Sequence, residues 1–291
     1  MTLQHTGGPI TGDMNGPEVY ATIFSVGPGK LDVNVIWTGS DDGLVHVTRD
    51  SGATWTNVTP RDMPDFGRVS QIDASAFESG RAYVSVRRPL LDDFAPYIWK
   101  TSDYGRTWTK IVDGIRDDAY VHAVREDPNR EGLLYAATQH GVYISYNDGA
   151  MWQELNPGLP DLPIIDLIVE ENELVIGSHG RGFWVLDNVA PLREASAGMT
   201  TGPRLFTPPT ATRSAGGVTL SWWLPEADPD SRLEILDASG EVIRTYVPAD
   251  PDAGERGPEA RYRGAALPTD AGLNSVHWDL RTEPAEVFPG M

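Results

Sequence analysis

The sequence predicts an all-β chain: four blades of a partial or open propeller, followed by a truncated β-sandwich. Three observations carry that reading. An eight-residue motif recurs in register, pairs of strand-like segments precede each copy, and a stretch rich in Pro, Gly, Thr and Ala divides this array from a second group of alternating segments. The expected domains are blades over residues 1–190, a linker over 191–217 and part of a sandwich over 218–291.

The motif reads TRDSGATW at residues 48–55, TSDYGRTW at 101–108 and SYNDGAMW at 145–152. Its residue types suit a hairpin turn. Asp50, Asp103 and Asn147 can accept hydrogen bonds from turn amides, and Gly52, Gly105 and Gly149 can take positive φ. Trp55, Trp108 and Trp152 are expected to pack beneath the turn as core residues. One copy would say little, because Asp-x-Gly turns are common; three with the Trp in register define a repeat. The Asp/Asn positions are 53 and then 44 residues apart, the length of a four-stranded blade with variable loops.

Each motif follows a short strand-like run, GLVHV, YIWK or GVYIS, and farther upstream a pair of segments: VYATIF with VIWTGS, RVSQIDAS with AYVSV, YVHAVRED with LYAAT. A fourth unit at residues 163–187 repeats the pair and the third strand without the motif. Residues 1–16 are turn-rich and make a poor strand, so the fourth blade is expected to keep an open edge, and open edges favour self-association. Beyond the linker, VTLSWWL, SRLEILD, EVIRTYV and LNSVHWDL alternate like sandwich strands, fewer than the seven or so of a complete sandwich.

Composition narrows the function classes. With 42 acidic against 23 basic residues and a net charge of -19, a nucleic-acid partner is disfavoured by charge repulsion. Cysteine is absent, which removes disulfides and thiolate chemistry. No apolar run is long enough to span a membrane, and no signal peptide follows Met1. Gly-x-Ser-x-Gly, His-Glu-x-x-His and P-loop motifs do not occur, and the six histidines (5, 46, 122, 140, 179, 277) are scattered. No cofactor and no metal are expected.

The repeated motif resembles the Asp-box (BNR) repeat of sialidases, xyloglucanases and sortilin. The stretch from GSDDGLVHVTRDSGATW to SHGRGFWVLDNVAPLR is similar to bacterial proteins described as glycosyl-hydrolase-like or sortilin-like. That resemblance implies structural Asp boxes remote from any active site, a C-terminal Ig-like domain over SRLEILDASGEVIRTY and NSVHWDLR, and an extracytoplasmic or secreted location. It also implies that this chain is a fragment, with Met1 internal to a longer protein.

Because antiparallel strands reverse, the Asp boxes join strands 3 and 4 on one face of the propeller, and the loops joining strands 2 and 3 lie on the other. Those loops are residues 40–43 (SDDG), 87–96 (RRPLLDDFAP), 138–141 (TQHG) and 178–182 (SHGRG). They gather Asp41, Asp42, Asp92 and Asp93 as candidate catalytic carboxylates, since paired carboxylates roughly 5 to 9.5 Å apart hydrolyse glycosides. Arg87, His140, His179 and Arg181 are the candidate ligand-binding residues. A sialidase-like triad of Arg87, Arg125 and Arg181 lacks the Arg-Ile-Pro signature that accompanies it in that family. The leading expectation is a recognition propeller that binds a polysaccharide or peptide at an acidic, aromatic-rimmed face. A glycoside hydrolase using the loop carboxylates and an assembly scaffold stand as alternatives.

Overall fold

A computed structural model describes residues 21–155, 158–195, 202–210, 216–249 and 266–283. The turn-rich residues 1–16 lie outside these ranges. The chain divides into two compact units, Met1–Asp187 and Asn188–Met291.

The first unit is an array of antiparallel sheets, each ordered as the chain runs. Blade 1 comprises β1 (Ile23–Pro28), β2 (Ile36–Ser40), β3 (Val45–Thr48) and β4 (Thr56–Asn57). Blade 2 comprises β5 (Arg68–Ala74), β6 (Ala82–Arg88), β7 (Asp93–Thr101) and β8 (Thr109–Lys110). Blade 3 comprises β9 (Val121–Glu126), β10 (Leu134–Thr138), β11 (Gly141–Ser145) and β12 (Gln153–Leu155). Blade 4 has three strands among the described residues, β13 (Ile164–Glu170), β14 (Glu173–Ser178) and β15 (Phe183–Leu186). The first strand of each blade packs on that of the next, β1 on β5, β5 on β9 and β9 on β13, which is propeller architecture.

Two strand assignments shift. The first described strand is IFSVGP, with Pro28 opposite Ile36; of the expected VYATIF, Ile23 and Phe24 fall in it and Val19 and Tyr20 lie outside the described residues. Gly27-Pro28-Gly29 has turn composition, but the chain reverses only after it, where the Gly29 N–H donates to the Val35 carbonyl at 2.8 Å. The expected loop 87–96 is mostly strand. Only a 3-10 turn at Pro89–Leu91 separates β6 from β7, closed by a 2.5 Å ion pair between Arg88 and Asp93.

The three boxes share one hydrogen-bond pattern. Thr48, Thr101 and Ser145 hydroxyls accept from the N–H of Gly52, Gly105 and Gly149 at 2.9, 3.0 and 3.0 Å. Carboxylate or amide oxygens of Asp50, Asp103 and Asn147 accept from the N–H four residues on at 2.8, 2.9 and 2.9 Å. Hydrogen bonds from Thr54 and Thr48 lower the Asp50 pKa to about 2.

The box also joins blades. The Trp108 indole N–H donates to the Val58 carbonyl at 2.6 Å, and that of Trp152 to the Ile111 carbonyl at 2.9 Å; each acceptor follows the outer strand of the preceding blade. Trp108 meets Trp37 of blade 1 edge-on. A Cβ on Gly105 would lie 2.6 Å from Val58, and one on Gly149 2.4 Å from Ile111, so glycine there permits close approach between blades as well as positive φ. Trp55 departs from the expected core position and is 44% exposed. Among the described residues no blade precedes blade 1, so Trp55 has no neighbouring carbonyl or apolar seat. Polar groups tie the blades too: Lys30 of blade 1 pairs at 3.0 Å with the buried Asp73 of blade 2.

In the second unit, β16 (Arg204–Leu205), β17 (Val218–Leu224) and β20 (Gly272–Trp278) form one sheet, and β18 (Leu233–Leu236) with β19 (Val242–Tyr246) forms a hairpin. Trp222, Leu224, Tyr246, Leu267 and Val276 make its core. The stretch with linker composition holds a short helix α1 (Ala190–Glu194) and β16.

Candidate functional site

At the 2–3 loop face, the turn between β6 and β7, the β5 entry and the blade 1 loop enclose a pocket of about 190 Å³. Its lining is Asp41, Phe66, Arg68, Arg87, Arg88, Pro89, Leu90 and Leu91. The β5–β6 ladder sets Arg68 directly opposite Arg87, and like charges in that position repel. Arg87 is half-buried and held below the usual guanidinium range, first by burial and then by Arg68. Its Nη1 lies 3.0 Å from His122 Nδ1, and His122 Nε2 faces Gln139 at 3.4 Å. Burial, reinforced by Arg87, lowers the His122 pKa to about 4, so the ring is neutral at pH 7 and can accept from the guanidinium. Arg68 lies 4.8 Å over the Phe24 ring. Among the described residues, neither Arg68 nor Arg87 has a carboxylate in ion-pair contact.

The four candidate carboxylates are engaged locally. Asp41 lines the pocket and accepts from the Thr22 N–H at 3.0 Å. Asp42 is buried and accepts the Ser40 hydroxyl. Asp92 is exposed and ends the 3-10 turn at φ 57. Asp93 accepts from Arg88 and, at 3.0 Å, from the Tyr97 hydroxyl. Only Asp41 lines this pocket, beside three arginines, so the local chemistry is that of an anion cradle, where an acidic face was expected.

Of the candidate binding residues, only Arg87 lines the pocket. His140 sits in a separate cleft of blade 3 and pairs through Nδ1 with Asp161 at 2.9 Å. His179 and Arg181 are exposed on the β14–β15 turn. Arg68, where an inter-blade loop enters β5, and His122, on β9, are not among the candidate binding residues. No group of three or more His, Asp or Glu among the described residues is placed to hold a metal ion, and no helix there is long and apolar enough to cross a membrane.

No family model matches the chain, and no curated protein matches it. Among solved structures it is similar to YCF48 bound to D1 peptide, at 17% identity over 78% of this chain and 69% of that one, with a TM-score of 0.46. It is similar also to an ancestral GH74 enzyme at 14% identity, covering 79% of this chain and 33% of the enzyme, TM-score 0.45. A GH74 xyloglucanase from Xanthomonas campestris matches at 18% identity over 82% of this chain and 35% of the enzyme, TM-score 0.42. The chain thus spans about a third of the length of these GH74 enzymes.

Proposed function

We propose that the chain is a recognition module of an extracytoplasmic Asp-box protein, binding through the Arg68–Arg87 pocket a polysaccharide or peptide that presents a carboxylate. One observation carries this reading: two arginines face each other on adjacent strands with no carboxylate in ion-pair contact among the described residues, in a chain of net charge -19. Setting like charges side by side costs stability unless a bound anion offsets it, and guanidinium forks match carboxylate geometry. Phe66 and Phe24 supply apolar surface beside the charges. The isolated position of Asp41 favours binding over hydrolysis, which needs a second carboxylate across the scissile bond.

The test is calorimetric titration of the full chain with oligogalacturonate, an acidic peptide and a neutral xylo-oligosaccharide. Binding of a carboxylate ligand, weakened at least tenfold in Arg87→Gln and in Arg68→Gln, supports the proposal and identifies the ligand class. Absence of binding to both carboxylate ligands, or binding unchanged in both variants, overturns it. Release of reducing ends that is abolished in Asp41→Asn would establish the hydrolase reading instead.

A further inference from the structure

Blade 4 has no Asp box, yet it keeps the seat that a box tryptophan occupies elsewhere. In blade 3, Trp152 lies in one apolar cluster with Ile98, Ile111, Ile115, Leu134, Ala136 and Tyr143, its N–H on the Ile111 carbonyl. The spacing between the second and third boxes carries Ile98, Ile111 and Ile115 onto Val142, Leu155 and Leu159. Strand register carries the others: Ala136 pairs with Tyr143 as Ile176 pairs with Trp184, and Leu134 corresponds to Leu174. All six counterparts line a single groove of about 100 Å³ with mostly apolar walls. An apolar cavity of similar scale, roughly 150 Å³, takes up benzene. Beside the groove, β15 is an edge strand among the described residues, with Phe183 84% and Val185 49% exposed.

We propose that the β15 edge and this groove form a docking site for an extended peptide segment of another protein. The segment pairs with Phe183–Leu186 and places an aromatic side chain, tryptophan above all, among Leu155, Leu159, Leu174 and Ile176. It acts as the fourth strand of blade 4, supplied in trans. The occupant's chemistry follows from blades 2 and 3, where an outer strand with a tryptophan fills the same position. Among the described residues no tryptophan-bearing strand is without a paired neighbour. Each of the chain's nine tryptophans lies at a described position; of the two exposed ones, Trp184 already lines the groove from β15, and Trp55 adjoins β4, already paired with β3. The site is distinct from the arginine pocket and does not depend on it.

The probe is a synthetic peptide of residues 145–155, the box and outer strand of blade 3, titrated into the full chain by calorimetry. Saturable binding is expected, with amide-exchange protection confined to residues 183–186 and their neighbours. It should weaken at least tenfold when the peptide's tryptophan is replaced by alanine, and likewise in the chain variant Leu159→Glu. Leu159 lies in a half-exposed loop position, and an unchanged melting temperature of that variant separates loss of the site from loss of the fold. No saturable binding, equal binding of the alanine peptide, or protection elsewhere would overturn the proposal. So would a dimer of the chain that the peptide does not dissociate, which would give the edge to a second copy.

Discussion

Truncating the three box tryptophans one at a time should produce a graded loss of stability that follows their seats on the preceding blade. Trp152 is 2% exposed and donates to a carbonyl of blade 2. Deleting a buried aromatic costs about 3–5 kcal/mol, and orphaning the Ile111 carbonyl adds about 1, so Trp152→Ala should cost about 5 kcal/mol. Trp108 makes the same bond but is only half-buried, and about 3 kcal/mol is expected by the same reasoning. Among the described residues Trp55 has neither the bond nor the seat, so Trp55→Ala should cost about 1 kcal/mol. The assay is urea unfolding followed by far-UV circular dichroism, which the loss of one indole does not disturb, with Trp152→Phe as the variant that keeps most of the packing and loses the donor. If Trp55→Ala destabilises the chain as much as Trp152→Ala, the stabilising contact lies within the turn, and the inter-blade account is wrong.

Two further outcomes concern pH. The folded-state pKa of His122, about 4, lies below its unfolded value near 6.5; the unfolded chain therefore binds the extra proton, and the stabilisation, complete above about pH 6.5, falls as pH drops toward 4. The shift corresponds to about 3 kcal/mol, and urea midpoints between pH 7 and 4 should flatten in His122→Gln; an equally steep profile in the variant would assign the proton uptake elsewhere. Asp50, with its pKa lowered to about 2 by Thr54 and Thr48, stabilises the fold above its unfolded value near 4, and that contribution is lost as pH falls through 2. Asp50→Asn should melt within a few degrees of the parent at pH 7, because Asn147 accepts two of the three bonds, from the Ser145 hydroxyl and the Met151 N–H, in blade 3, and should show less acid lability between pH 4 and 2; a large loss at pH 7 would show that the charge itself is needed.

Much of the fold was legible because the repeat states its local chemistry three times. The order hydroxyl, Asp or Asn, Gly, Trp names the acceptor, the donor and the positive-φ residue of one turn, and the observed bonds follow it. Periodicity placed β5, β6, β9 and β10 within a residue or two. It failed at β1, where Gly27-Pro28-Gly29 imitates a turn while the strand still runs, and at β7, where LLDDF looks like a loop until Asp93 pairs across the ladder with Arg88. Both errors have one cause: strand pairing is a non-local choice that can override local turn chemistry.

The site was less legible, for a related reason. Loops form the mouth of a propeller and acidic residues dominate this chain, so loop carboxylates are the natural candidates in the sequence. Arg68 and Arg87 lie at the ends of strands with 18 residues between them, and nothing local marks them as a pair. Only the β5–β6 register makes them neighbours, and a bulge between Val69 and Gln71 intervenes in that register. The same bulge sits beside the pocket. Bulges re-aim side chains at sheet ends, and here one falls between the regular ladder and the residue pair at the pocket. An apolar residue at either position would remove the repulsion between the two cations; among the described residues no carboxylate pairs with either, and the anion proposed for this pocket would supply the missing counter-charge.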